Sequence, residues 1–424
     1  MRNVVLRLRL SGRCYDLWAV QRIYLDHNAT TPLSPAVADR MSAALREQWG
    51  NPSSVHHFGQ QAKAAIDDAR SAVAALIGAD PAEIVFTSGG TESDNFAIRG
   101  IAESLERSGR HHLIASAIEH EAVLNTVKAL GRRGARTTLL AVDQTGVVAA
   151  DTLREALADD TAIVSVMHAN NEIGTIQPVA ELARLAHARG ALFHTDAVQS
   201  AGKVPIDVKA LGVDLLSLSA HKFYGPKGVG AIWIRRGLRL LPIMTGGKHE
   251  RSRRAGTENV PGIIGMGIAA TEARLKLAHE PARLAALRDR LEDGVLRAVP
   301  GTAINGVISD ATGGVRSPRV ANTTNISFDR TEAESLLIAL DLDGIAVSTG
   351  SACSSGTLEP SHVLKAMGLP AHRTQNSIRF SLGAANTEAD VDRVIAVLPG
   401  IVDKLRSLTR TPVGSRQPAV GSRS

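Results

Sequence analysis

The chain reads as an alternation of two hydrophobic periods. Residues Gln61–Gly78 place Ala62, Ala65, Ile66, Ala69, Val73 and Leu76 at helical spacing. Glu83–Thr87 then forms a short β-branched run that ends in a glycine turn. His112–Ala117, Arg136–Val142, Thr161–Met167, Ala191–Thr195, Asp214–Ser219 and Val229–Ile234 follow as short apolar runs with helical patterns between most of them. They are nearly continuous rather than alternating, which suits strands buried on both faces. About 200 residues of strand–helix alternation predict an α/β fold with a mostly parallel, doubly wound sheet.

The pattern changes after residue 275. A helix over Pro281–Val299 leads into a glycine-rich stretch, Gly301–Gly314. Strands at Asn322–Phe328, Ile345–Ser348 and Ile378–Ser381 mix with helices at Glu332–Leu340 and Thr387–Leu405, which predicts a smaller α+β C-terminal domain. The expected organisation is a large domain over 30–275 and a small domain made of 23–29 with 276–406. Residues 1–22 are expected to be a disordered extension, and 407–424 a disordered tail.

Composition excludes several classes. The net charge is +6, but residues 1–22 carry five Arg against one Asp and residues 407–424 carry three Arg and no acid. The body, 23–406, is left at −1, so no basic stripe for nucleic acid is expected on the folded part. No apolar stretch is long enough to cross a bilayer. The Arg-rich start superficially suggests a transit peptide but has no signal-peptide apolar core. The two cysteines, Cys14 and Cys353, lie far apart, which argues for a reducing, cytoplasmic setting and against a disulfide framework.

Four unusual groups sit at predicted strand ends, where open α/β sheets bind ligands. Lys222, in Ser219-Ala220-His221-Lys222, can form an imine with an aldehyde. Asp196, in His194-Thr195-Asp196-Ala197-Val198-Gln199, can hold a pyridinium nitrogen protonated, with Gln199 near the cofactor's phenolic oxygen. Thr87-Ser88-Gly89-Gly90-Thr91-Glu92 turns from strand into helix and offers backbone N–H groups to a phosphate. His120, in Ile118-Glu119-His120, can stack on a ring and relay protons. Taken singly, each has an ordinary explanation: a surface lysine, a helix-capping aspartate, a plain glycine turn, a structural histidine. Together, in workable order, they point to pyridoxal 5′-phosphate (PLP).

At this point the sequence resembles the class V aminotransferase superfamily of fold-type I PLP enzymes, and within it the cysteine desulfurases of the NifS/IscS type. The resemblance spans about residues 23–406. It rests on Tyr24-Leu25-Asp26-His27-Asn28-Ala29-Thr30-Thr31, Asn51-Pro52-Ser53-Ser54, Ser88-Gly89-Gly90-Thr91-Glu92, His168-Ala169-Asn170-Asn171-Glu172-Ile173-Gly174, His194-Thr195-Asp196-Ala197, Ser219-Ala220-His221-Lys222, Arg254-Ala255-Gly256-Thr257-Glu258-Asn259 and Gly350-Ser351-Ala352-Cys353.

The resemblance implies roles. Lys222 is to hold the cofactor as a Schiff base and move the substrate Cα proton. His120 is to stack on the ring, Asp196 to pair with its nitrogen and Gln199 to meet its phenolic oxygen. Gly90, Thr91, Ser219 and His221 are to hold the phosphate. Thr257 is to reach the phosphate of the other subunit, which implies a homodimer with shared sites. Asn171 and Arg379 are to bind the carboxylate of L-cysteine, a task that suits a planar guanidinium. Cys353, in a small-residue loop expected to be mobile, is to take the substrate sulfur as a persulfide and pass it to an acceptor such as an iron–sulfur scaffold. There it could ligate iron transiently; the fourteen His show no zinc spacing.

Two residues depart from the family pattern. His27 stands where Asn is commoner, and Gly246-Gly247-Lys248-His249-Glu250 replaces a Gly-Gly-Gly-Gln-Glu run; neither is expected to carry chemistry. The Ser-Ala-Cys loop favours an iron–sulfur role, and Cys353 through His362 leans toward nitrogenase-cluster assembly among the possible destinations. Alternatives on the same fold are a selenocysteine lyase, which would ignore cysteine, and a transaminase, which has no need of Cys353. A non-catalytic scaffold partner would need none of these residues.

Overall fold

The fold is known from a computed structural model, which describes residues 7–10, 13–16, 22–307, 318–350 and 360–410. Seven strands form the large sheet. Their spatial order is Ile84–Thr87, Gly230–Ile234, Leu215–Ser219, Leu192–Asp196, Thr161–Ser165, His112–Ser116 and Arg136–Leu140. Only Gly230–Ile234 runs against its neighbours, pairing antiparallel on both sides. Two reversals restore direction, so Ile84–Thr87 points the same way as the other five.

Period-2 alternation sorts the strand side chains to two faces. Ile84 and Phe86, Ile114, Val164, Leu216 and Leu218 turn to one face. There they meet the helices His57–Leu76, Val179–Ala188 and Val260–Lys276. Val85, Leu113 and Ala115, Ile163 and Leu215 turn to the other and meet Gly90–Leu105 and Glu121–Gly131. Six of the seven strands are buried on both faces. The edge strand Arg136–Leu140 is mostly exposed, and its Arg-Thr-Thr start is correspondingly polar.

The switch in winding direction falls beside His112–Ser116, which lies between the strands that follow it in the chain. A crevice opens at the carboxyl ends of the strands at such a point. Five strands deliver a polar residue to that edge: Thr87, Ser116, Ser165, Asp196 and Ser219.

The second core belongs to a three-stranded antiparallel sheet in the order Thr302–Asn305, Thr323–Phe328, Ser377–Ser381. Helices Glu280–Ala298, Ala333–Leu342 and Glu388–Arg410 pack on it. Ile23–Tyr24 pairs with Ile345–Ala346, so the chain before the large sheet is tied to residues more than 300 positions later.

The structure differs from expectation in three places. Thr302–Asn305 is a strand inside a stretch whose glycines suggest a loop; Gly301 and Gly306 bracket it at positive φ, so they end the strand rather than forbid it. Within 1–22, Arg7–Leu10 and Arg13–Asp16 pair as an antiparallel hairpin. The helix Glu388–Arg410 enters the segment 407–424, and Arg406 fastens this end by donating to the carbonyls of Asp329 (2.9 Å) and Pro300 (2.9 Å).

One buried ion pair holds the edge of the large sheet. Arg70 donates to both Glu250 carboxylate oxygens (2.8 and 2.9 Å) and to the Ile84 carbonyl (2.9 Å), and Glu250 also accepts the Phe86 N–H (2.9 Å). Removing one member leaves the other charged and dry, at roughly 3–5 kcal/mol. Arg70→Ala should therefore lower stability by about that amount, read from the urea midpoint of the apoprotein at unchanged slope. An unshifted midpoint would contradict this reading of the pair.

Candidate active site

Two of the polar strand ends, Asp196 and Ser219, stand in the wall of a cleft of roughly 200 Å³. Nine of the ten residues expected at the cofactor line it: Gly90, Thr91, His120, Asn171, Asp196, Gln199, Ser219, His221 and Lys222. Asp94, Met167 and Val198 complete the wall.

Lys222 follows the strand Leu215–Ser219 on a single 3-10 turn. Its Nζ donates to two backbone carbonyls, Asn28 O (2.6 Å) and Ala29 O (2.8 Å). Burial pushes the ammonium down to about 8, and the nearby Arg379 cation pushes the same way, against Asp196 and Asp26. Neutral carbonyls orient the amine without the full counter-charge of a contacting carboxylate, which would lift its pKa.

Asp196 ends the central strand and is 5 % exposed. Burial pushes its carboxyl up, while His120 and Lys222 pull it down. Its protein hydrogen bond is to the Val198 N–H (2.8 Å). A carboxylate so placed suits a protonated ring nitrogen.

The phosphate cradle is built by close approach. The helix Gly90–Leu105 starts at Gly89 with no side-chain cap, leaving its first N–H groups to a ligand. A Cβ on Gly230 would stand 2.6 Å from Gly89 Cα and 2.6 Å from the Leu218 carbonyl, so glycine at 230 lets the turn lie flat on the sheet. Ser219 and His221 line the same cleft from the end of Leu215–Ser219, one strand further across the sheet, and a Cβ on Gly89 would stand 3.8 Å from Ser219 Oγ. Uncapped helix start, buried carboxylate and desolvated lysine together fit PLP.

Residues 23–394 match the aminotransferase class-V family. The chain is 49% identical over 389 residues to the cysteine desulfurase IscS of Dictyoglomus turgidum, covering 92% of this chain and 96% of that one. Among solved structures, a NifS-like protein superposes with a TM-score of 0.83 at 38% identity, covering 91% of this chain and 100% of its own. SspA in complex with cysteine superposes with a TM-score of 0.74 at 34% identity, over 85% of this chain and 98% of its own.

The chain belongs to the cysteine desulfurases of the class V aminotransferase family.

In this desulfurase the remaining expected residues stand as follows. His120 caps the helix Glu121–Gly131, its Nδ1 accepting the Ala122 N–H (3.1 Å). Gln199 is committed to Asn28 O (2.9 Å) and Lys203 Nζ (2.8 Å). Arg379 is buried beside the cleft rather than in its wall, donating to Asp26 Oδ1 (2.6 Å) and the Asn171 carbonyl (3.1 Å); its Nε has no partner. Thr257 is exposed and does not line this cleft. Cys353 lies outside the described residues. Among the described residues no group of three or more His, Cys, Asp or Glu is placed to hold a metal.

The sequence reading passes over five residues. Asn28 joins the two domains: its side chain donates to Asn171 O (3.0 Å) and Thr323 Oγ1 (2.8 Å) and accepts from Lys203 (2.9 Å) and Asn322 (3.1 Å). Lys203 is a second lysine, pushed well below its usual pKa by burial and then by Lys222. Asp94 is 1 % exposed, with one carboxyl oxygen unpartnered; burial and Asp196 push it up. Glu119 is pushed up to about 8 by burial. Glu172 is fully enclosed beside Asn171. Asn28, Asp94, Glu119 and Glu172 stand in or next to the quoted motifs, a signal available before the fold; Lys203 offers none. His27, expected to be inert, is 3 % exposed with an unpartnered Nδ1, and burial pushes it down to about 4.

The Lys222 shift has a sign that can be tested. Only the neutral amine attacks an aldehyde, so capture of PLP by the apoprotein should speed up with pH and level off near 8. An ordinary lysine would continue to gain up to about 10.4. Rates of absorbance change after mixing apoprotein with PLP, from pH 6.5 to 10, distinguish the two.

Proposed function

We propose that this enzyme takes sulfur from L-cysteine onto Cys353 as a persulfide, leaves L-alanine, and delivers the sulfur to a scaffold protein on which iron–sulfur clusters are built. The observation that carries the proposal is the single cleft that gathers nine assigned residues around a lysine amine pushed down to about 8.

Bound PLP supplies an aldehyde for a lysine to capture and a protonated ring that accepts the electron pair released at Cα. Asp196 would keep that ring protonated, and His120 would stack on it. The helix start at Gly90 and Thr91, with Ser219 and His221, holds the phosphate. Arg379 and Asn171 orient the substrate carboxylate. With PLP held in the cleft, Lys222 as a neutral amine would take the Cα proton. The Cys353 thiolate attacks the substrate sulfur: the S–S bond forms, the Cβ–S bond breaks, and the electron pair stays with the carbon skeleton, which is protonated to alanine.

Thr257, exposed in the single chain, is assigned to the phosphate of a second copy, which makes the working unit a homodimer. Placement in the cytoplasm accords with the two widely separated cysteines. Iron is cargo here: a cluster growing on the scaffold would meet Cys353 sulfur only in passing.

Wild type and Cys353→Ala should both show bound PLP by absorbance. With L-cysteine and a reductant, wild type should release sulfide and alanine in equal amounts, and the variant should be slower by at least about a hundredfold. Full activity in the variant would replace the persulfide route with a simple lyase or transaminase. Activity on selenocysteine alone would make it a selenocysteine lyase.

A further inference from the structure

Glu172 follows Asn171 in the chain, is 1 % exposed, and does not line the cofactor cleft. Its carboxylate touches two points that are eleven residues apart in sequence. Oε2 accepts the Ser361 hydroxyl at 2.5 Å. The same side chain packs close to Gly350, where an added Cβ would stand 2.9 Å from Oε2 and 3.0 Å from Cδ. Gly350 also has φ +84°, so glycine there answers both the backbone and the contact. The chain thus leaves one carboxyl group at Gly350 and returns to it at Ser361. By sequence, Cys353 lies between.

Each end is secured further. Ser348 exchanges backbone hydrogen bonds with Arg379 (3.2 and 2.6 Å), and its hydroxyl accepts the Gly350 N–H (3.0 Å). Beyond Ser361, His362 bonds the Glu119 carbonyl (2.9 Å). Val363 and Leu364 bury against Ile118, Met167 and Ile173 of the large domain.

We propose that Glu172 is a positioning residue that pins both ends of the Cys353 segment to the wall of the cofactor cleft. This rests on the reading that Cys353 receives the sulfur. Three peptide steps separate Gly350 from Cys353, so the cysteine Cα stays within about 11 Å of Gly350 whatever path the chain takes. Fixing Gly350 beside Asn171 therefore confines the thiol to the neighbourhood of the cleft. A confined nucleophile acts at a raised effective concentration. Releasing the ends should slow sulfur transfer without weakening substrate binding.

The experiment uses holoenzyme and a single turnover without reductant, reading alanine per site against time. Glu172→Ala should retain bound PLP and half-saturate with L-cysteine within about twofold of wild type, while its first-turnover rate falls at least about tenfold. Ser361→Ala should lose about threefold or more, and the double variant should be no slower than Glu172→Ala, since both remove one contact. Glu172→Gln keeps the acceptor and the volume and should stay within about threefold. Alkylation of Cys353 by iodoacetamide, followed on its peptide, should change rate in Glu172→Ala but not in Glu172→Gln.

A purely structural role would lower PLP content and melting temperature together and leave the loaded fraction at wild-type rate; that result overturns the inference. So does a wild-type rate in both Ser361→Ala and Glu172→Ala, or in Ser361→Ala alone should Glu172→Ala fail to fold. If Cys353→Ala turns over normally, the thiol reading fails first. If Cys353→Ala is dead and the Glu172 and Ser361 variants are normal, only this inference fails.

Discussion

A lysine and an aspartate are both held out of water at one edge of a single sheet, and most of the site follows from supporting them there. Burial alone pushes Lys222 toward the neutral amine and Asp196 toward the neutral acid. Only Asp196 needs the opposite bias from its contacts. Lys222 meets two backbone carbonyls, which hold the amine in place yet leave it able to lose its proton. Asp196 faces His120 and Lys222, which favour its charged form. Asp94 and Glu119, buried close by without a cation in contact, are pushed up. Of these three carboxyls Asp196 alone has His120 and Lys222 pulling it down, at the position where a ring nitrogen could add a further cation.

The carbonyls that receive Lys222 belong to a strap, residues 23–31, and that placement couples the domains. Tyr24 is paired with Ala346 in the small domain, and the Asn28 N–H donates to Ser381 Oγ (3.0 Å). Thr31 closes the strap onto the large domain through the His221 carbonyl (2.9 Å from the backbone N–H, 3.0 Å from Oγ1). Asn28 lies between and bonds both. A shift of the small domain would thus be felt at Lys222 through two covalent neighbours, Asn28 and Ala29. The ring of His27 packs on Gly383, where a Cβ would come within 2.4 Å of three ring atoms. The family's commoner Asn would leave part of that volume empty, so the departure at His27 has a packing consequence that a search for chemistry overlooks.

Much of this was legible before the fold. The strand runs carry their own stop: Thr87, Ser116, Ser165, Asp196 and Ser219 each end an apolar run with a polar residue, and two of those ends, Asp196 and Ser219, line the cleft. Lys222, Asp196, His120 and the glycine turn could be placed because each follows such a run by a few residues. Asn28 could not be given a role that way. Its partners lie 143 to 295 positions away, and no local period encodes them. Lys203 looks like any helix-end lysine until Asn28 and Gln199 enclose it. Thr302–Asn305 was hidden because glycine marks the ends of a strand as readily as a loop. Glu172 lay inside a quoted motif, but its partners Gly350 and Ser361 come from the other domain's half of the chain.

Charge balance explains why the cleft suits its ligands. Burial first, and then the Lys222 and Arg379 cations, push Lys203 well below its usual pKa, and burial with Arg379 pushes Lys222 the same way. Asp26 answers Arg379 directly, yet the guanidinium retains an unpartnered Nε. On the proposed reading, a substrate carboxylate would supply the acceptor that this buried donor lacks. A phosphate at the Gly90 helix start would add negative charge within the cleft itself. Either anion, bound near Lys222, would favour the protonated amine. Lys222 is therefore most reactive as a nucleophile before the cleft fills. Once it is filled, the amine becomes the better proton acceptor, which is the order in which a lysine that first captures a cofactor and then moves a proton must act.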